Sequence, residues 1–372
     1  MDEAMRPYRG IRVLDAGQGI AAPYCATLLA ACGAEVIKLE PPEGDWSRGL
    51  TTSKDTVSVL SVCFNRGKRS VVLDLKTDAG REAAKRLAAR CDVLIEAFRP
   101  GVAARIGLGP ENTREDAICL SISGFGQTGP NAERPCTDSV AQAFSGFVSL
   151  NAGADGVPHK TMPFISDMTT GVWAFVAIQT ALAARAQDRV PRRRVIDLSL
   201  MMATSFLMTA QIAETAFLGR APAMPNTPAG AYQAADGGWV MITLVREAEF
   251  PPLCAVLGLD GVPEDPRYST FAARWENRES LYALVRAAFQ KRPAADWVAA
   301  LQTKRLLADH VNSIAEWIAN PHVQAVGAMG AVAQPQLGSV PIPGLPGLGH
   351  WSARAPALGE HTQEVLAELD RS

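Results

Sequence analysis

Three stretches of the chain hold residues whose types and spacing suit chemistry. Gly17-Gln18-Gly19-Ile20-Ala21-Ala22 has the G-x-G-x-x-A spacing of a turn that lets backbone N–H groups approach a pyrophosphate. Glu40 lies where an acid that binds a ribose is expected, so a nicotinamide- or flavin-dependent oxidoreductase is one reading. The other is a tight strand-to-helix turn that needs small residues. Gly124-Phe125-Gly126-Gln127-Thr128-Gly129 repeats the spacing but runs into Pro130 and a polar segment, so the helix N-terminus that holds a phosphate is missing. Asp167 opens an apolar helical stretch, where the helix dipole favours an anion and where Asp is also a favoured cap.

Other chemistries lack their residues. The seven cysteines (25, 32, 63, 91, 119, 136, 254) form no C-x-x-C pair and read as thiols of a reducing, cytoplasmic compartment. The five histidines show no H-x-x-x-H spacing, so no metal site is expected. A net charge of −2 gives no basic footprint for nucleic acid. The most apolar run, Val172 to Ala184, is shorter than the roughly 18 residues a membrane span needs, and no signal-peptide pattern opens the chain, so no membrane partner is expected.

The elements that must position these residues alternate in type. Ile11–Ala16, Glu35–Leu39, Ser70–Leu75, Val93–Glu96 and Ile118–Ser121 read as strands. Ala22–Ala31 and the amphipathic Asp78–Arg90 read as helices, and Asp167–Ala184 and Asp197–Leu218 as long ones. This is an α/β chain with a mostly parallel sheet. Gly219–Gly230, rich in Pro, Ala and Gly, reads as a linker. Gly237-Gly238 before Trp239–Leu244 reads as a hairpin, helices follow, and Gly338–Gly349 reads as an extended return crossing.

Six separated segments, in order, resemble the class III CoA-transferases, a family that includes formyl-CoA and carnitine CoA-transferases and 2-methylacyl-CoA racemases. They are Gly33-Ala34-Glu35-Val36-Ile37-Lys38-Leu39-Glu40-Pro41, Phe64-Asn65-Arg66-Gly67-Lys68-Arg69-Ser70, Glu96-Ala97-Phe98-Arg99-Pro100-Gly101, Ser123 to Pro130, Asp167-Met168-Thr169-Thr170-Gly171 and Leu358-Gly359-Glu360-His361-Thr362. The resemblance implies a large Rossmann-like domain built from both chain ends, 1–218 with 331–372. It implies a smaller α+β domain at 231–330, joined through 219–230, and an interlocked homodimer.

It also assigns roles. Asp167 matches the family's nucleophile, a carboxylate that attacks a thioester and passes coenzyme A onward through an anhydride and an enzyme-bound thioester. Gly124 and Gly126 would bring backbone donors to a developing oxyanion. Lys38, Lys68, Arg69 and Arg105 would meet the phosphates of coenzyme A, and Phe98 its flat base. Ala97 departs from an Asn common in formyl-CoA transferases. Coenzyme A enters as substrate, with no tightly bound cofactor.

The same resemblance separates transfer from racemisation. The family's racemases carry a His where Thr137 stands here, and threonine is no base near neutral pH. Glu247 matches a racemase carboxylate but lacks that partner. The expectation is therefore transfer of coenzyme A from an acyl-CoA to a carboxylic acid, with racemase, oxidoreductase and non-catalytic CoA binder as alternatives. The four-glycine loop of the formate-specific enzymes is absent, which argues against oxalate and formate. The apolar residues Phe144, Phe147, Met162, Phe164 and Met168 would suit a larger acyl group, or core.

Overall fold

A computed structural model describes residues 5–152, 156–220 and 226–371. The chain forms two compact units, Met1–Thr209 with Gly327–Ser372, and Ala210–Val326. Of the expected linker at 219–230, residues 221–225 lie outside the described residues.

The first unit is built on a six-stranded sheet. Its strands are β1 (Arg12–Ala16), β2 (Glu35–Glu40), β3 (Arg69–Val72), β4 (Val93–Glu96), β5 (Ile118–Ser123) and β6 (Arg194–Ser199). Every neighbouring pair is parallel, and the spatial order is β3-β2-β1-β4-β5-β6. This order reverses direction between β1 and β4, so the loops leaving those two strands diverge and open a crevice at the carboxyl end of the sheet.

The strands are apolar on both faces because both faces are covered. Alternation sends Val13, Val36, Ile95 and Ile118 to one side, against Leu29 of α1 (Ala21–Ala31) and Ile178 of the long helix Ile165–Arg185. Leu14, Leu39, Leu94 and Cys119 go to the other, against Leu87 of α3 (Asp78–Ala88) and Val365 and Leu369 of the last helix, Thr362–Asp370. Between β2 and β3 lies α2 (Val59–Asn65), and between β5 and β6 lie α4 (Asp138–Phe144) and α5 (Ile165–Arg185).

Two expectations fail. The long helix expected over Asp197–Leu218 is instead β6, α6 (Leu200–Phe206) and a separate helix Thr209–Leu218. Residues 194–199 pair with β5 along their whole length, and Ser199 caps α6 through its hydroxyl. The stretch after Gly338 is no crossing but the second strand, Gly338–Pro343, of a hairpin with Met329–Gln334.

The second unit holds an antiparallel three-stranded sheet of Gly230–Gln233, Trp239–Thr243 and Leu307–His310. Gly237, with φ of +83°, makes the expected turn between the first two strands. Helices Phe250–Leu257, Arg278–Phe289 and Ala294–Thr303 pack a separate core around Trp297 and Phe289.

Candidate functional site

The turn after β1 is fixed by buried charge. The Lys38 ammonium of β2 donates to the Gly17 carbonyl and pairs with Asp45 at 3.0 Å. Asp45 accepts from the Gly19 N–H at 2.9 and 3.1 Å. Asp15 accepts from the Gly17 N–H at 3.1 Å and pairs with Lys68 at 2.8 Å. Lys68 also donates to the Pro23 and Phe64 carbonyls and to Asn65. Burial pulls the Lys68 ammonium down to about 8, against the pull of Asp15.

Glycine is required at both ends of this turn. A Cβ on Gly17 would lie 2.2 Å from Cβ of Ala22, and one on Gly19 would lie 2.0 Å from the Trp46 ring. Gly19 also has φ of +80°. The result removes the basis for a dinucleotide cradle. The N–H that would meet a pyrophosphate is taken by Asp45 and the turn lies under Trp46. Glu40, the candidate ribose acid, is buried and held by two 2.6 Å bonds from Arg48 and one of 2.6 Å from Ser70.

Two cavities open at the carboxyl ends of the strands, and Gln18 lines both. One, of about 420 Å³, is lined by Ala16, Leu39, Pro41, Leu75, Phe98 and Val102, with Lys76 among its polar residues. Glu96, at the end of β4, accepts from the Phe98 N–H at 2.7 Å and so fixes the turn that carries the ring. The other cavity, of about 380 Å³, holds Asp167. Around it stand Trp46, Ala97, Gly124, Thr137, Asp138 and Lys160, with Met162, Phe164 and Leu200 as apolar wall.

Asp167 sits in the first turn of α5, but it does not cap that helix. The cap comes from Asp138 at the start of α4. Its Oδ2 accepts from the Ser166 and Asp167 N–H groups at 2.8 and 3.2 Å, and its Oδ1 from Gln142 at 2.6 Å. The Asp167 side chain is thereby left to the cavity. Burial, and secondarily the Asp138 carboxylate, push its carboxyl up to about 7. Such a group is ionised in useful amount at neutral pH and is a stronger base and nucleophile than an ordinary aspartate.

The expected site residues are only partly brought together. Asp167 and Gly124 share the larger residue set of the second cavity, and Phe98 lines the first. Gly124 must be glycine because a Cβ there would lie 2.1 Å from Cβ of Cys136. The Gly126 N–H donates to the Ser123 hydroxyl at 2.9 Å, so it is turned to its own loop and not to the cavity. Lys38 and Lys68 are buried under the first turn, with their donors already engaged, and do not line either cavity. Arg69 is drawn to Glu35, Glu364 and Glu368 at 2.7 to 3.0 Å, also away from both cavities. Arg105 is exposed on the short helix Val102–Arg105 beside the first cavity.

Gln18, Trp46, Lys76, Asp138 and Lys160 line the cavities without having been singled out as site residues. Of the apolar candidates, Met162 and Phe164 line the second cavity, while Phe144 packs edge-on to Phe125 and Met168 against Ile20, Leu60 and Phe64. Glu247 lies in the second unit, ion-paired to the buried Arg274. Among the described residues no group of three His, Cys, Asp or Glu side chains could hold a metal, and no helix is long and apolar enough to cross a membrane.

Residues 8–362 match CoA-transferase family III. The sequence is 34% identical to succinate–glutarate CoA-transferase of Agrobacterium fabrum, over 98% of this chain and 96% of that protein. It is 31% identical to succinyl-CoA–D-citramalate CoA-transferase of Chloroflexus aurantiacus, over 98% and 94%. The fold resembles the crystal structure of a CAIB/BAIF family protein from Brucella suis with a TM-score of 0.82, at 30% identity, over 98% of this chain and 99% of that one.

Proposed function

The chain belongs to CoA-transferase family III, an enzyme family that moves coenzyme A from an acyl-CoA to a carboxylic acid, and we propose that Asp167 carries this transfer covalently. The observation that carries the reading is a carboxyl freed from capping, pushed up to about 7, in a cavity that shares Gln18 with the apolar cavity of Phe98.

An Asp167 carboxylate oxygen attacks the thioester carbonyl carbon. The C–S bond breaks, the thiolate of coenzyme A leaves, and a mixed anhydride remains. The thiolate then attacks the Asp167 carbonyl of the anhydride and releases the donor acid, leaving coenzyme A on Asp167 as a thioester. The acceptor carboxylate attacks this thioester and expels the thiolate. Attack of the thiolate on the acceptor's acyl carbon forms the new acyl-CoA and restores Asp167. No water and no external oxidant enters. Backbone N–H groups near Gly124 are the proposed oxyanion donors, while Gly126 supports the loop through Ser123.

Phe98 is the proposed contact for the adenine ring, and the exposed Lys76 and Arg105 the cations nearest its phosphates. Lys38 and Lys68 act on coenzyme A through the Gly17–Gly19 turn. Coenzyme A is a substrate, and no cofactor is needed. Thr137 lines the cavity where the family's racemases carry a His, and a threonine is no base near neutral pH, which supports transfer over racemisation. The division at 218, 231 and 331 and the interlocked homodimer belong to the same proposal. Seven free thiols fit a cytoplasmic setting.

Intact-protein mass spectrometry after incubation with a panel of acyl-CoAs tests the covalent step. A CoA-sized adduct, converted by hydroxylamine to a hydroxamate at Asp167, is expected. Coenzyme A binding with no adduct from any acyl-CoA, together with solvent deuterium washed into a 2-methylacyl-CoA, would establish racemisation instead.

A further inference from the structure

Lys160 is the one basic side chain among the described residues lining the cavity of Asp167, which also contains the Asp138 carboxylate. An acceptor acid enters as an anion. A cavity with two carboxyl groups repels it unless a cation offsets them. Lys160 is exposed and forms no ion pair among the described residues. Around the Gly17–Gly19 turn, Lys38, Arg48 and Lys68 are each engaged by a carboxylate.

The backbone around Lys160 is held in place. The His159 N–H donates to the Asn151 carbonyl at 3.1 Å, and the Asn151 amide donates to the His159 carbonyl at 2.8 Å. On the other side, the Thr161 N–H donates at 3.0 Å to Gln142, whose amide donates to Asp138. Lys160 is thus mounted on a strap tied, through Gln142, to the carboxylate that positions Asp167. Its flexible stem carries a point charge that can meet a carboxylate at some distance from the reacting centre.

We propose that Lys160 receives the second carboxylate of a dicarboxylic acid whose first carboxylate reacts at Asp167, which makes it a specificity-determining residue. This rests on the covalent transfer reading above. The names of the two relatives accord with it, since succinate, glutarate and citramalate each carry two carboxylates.

The test compares kcat/KM for glutarate and for butyrate, its one-charge counterpart, with saturating succinyl-CoA as donor. In Lys160→Met, kcat/KM for glutarate is expected to fall by about tenfold or more, the loss of one charge-assisted contact, with butyrate changed by less than about twofold. Lys160→Arg restores most of the glutarate value. Retained butyrate turnover also shows that the variant is folded. Equal losses for both acids would make Lys160 a general attractor of anions and overturn the assignment, as would no loss for either. A parent enzyme that transfers coenzyme A to neither acid, and forms no adduct at Asp167, overturns the transfer reading itself and the assignment with it.

Discussion

Asp167→Asn tests the electrostatics of the site through stability rather than turnover. In the folded chain the Asp167 carboxyl is raised from 3.8 to about 7. Ionising it in the cavity therefore costs more than ionising it in the unfolded chain. The penalty is absent below the unfolded value, grows as pH rises from about 4 to 7, and is constant above that. At about 1.4 kcal/mol per tenfold change in ionisation, the full penalty is about 4 kcal/mol. The side chain is half-buried and the cavity admits solvent, which screens roughly half and leaves about 2 kcal/mol. Asparagine has the same shape and no charge, so it escapes the penalty. The variant should melt about 4 °C higher than the parent at pH 8, and the gain should shrink by more than half at pH 5. Thermal unfolding of both proteins at the two pH values measures this. A variant no more stable at pH 8, or a gain that does not depend on pH, would refute the account of burial and like charge, whatever happened to activity.

Three further outcomes follow from the same geometry. Asp138→Asn keeps an oxygen for the Ser166 and Asp167 N–H groups but removes a negative charge. The midpoint of the pH profile for single-turnover adduct formation should move down, and by less than the whole rise, because burial is the larger cause. Phe98→Ala should weaken coenzyme A binding about tenfold in calorimetry, through loss of an aromatic face in the first cavity. Gly19→Ala drives a Cβ into the Trp46 ring at a left-handed φ, and should cost about 1–3 kcal/mol in denaturant unfolding while changing the tryptophan fluorescence.

The parallel sheet was legible because its strands are short apolar runs between turn residues, and Val93–Glu96 falls where the pattern puts it. The strand at 194–199 was not. Its alternation runs directly into the apolar α6, and periodicity alone cannot separate the two. Asp167 at a helix start was legible, but its freedom was not, since the capping carboxylate is 29 residues upstream. The cations misled for a related reason. Nothing local in Glu35–Glu40 shows that Lys38 turns inward to acids at positions 15 and 45, and Arg69 meets acids far away in sequence, Glu35 on β2 and Glu364 and Glu368 on the C-terminal helix. The glycine turn had the spacing of a dinucleotide site, yet the acid that occupies its N–H lies 26 residues later.

Asp138 caps the helix start and leaves the Asp167 carboxyl to the cavity, so two tasks fall to two aspartates. This makes the two positions one heritable unit. Loss of the acid at 138 leaves the Ser166 and Asp167 N–H groups without their acceptor, and a replacement by Asp167, in the same turn, would spare the helix start at the cost of the carboxyl that the proposed mechanism uses. Under the proposed mechanism, drift at 138 is a quiet route from catalyst to inert relative, with Asp167 still present in the sequence.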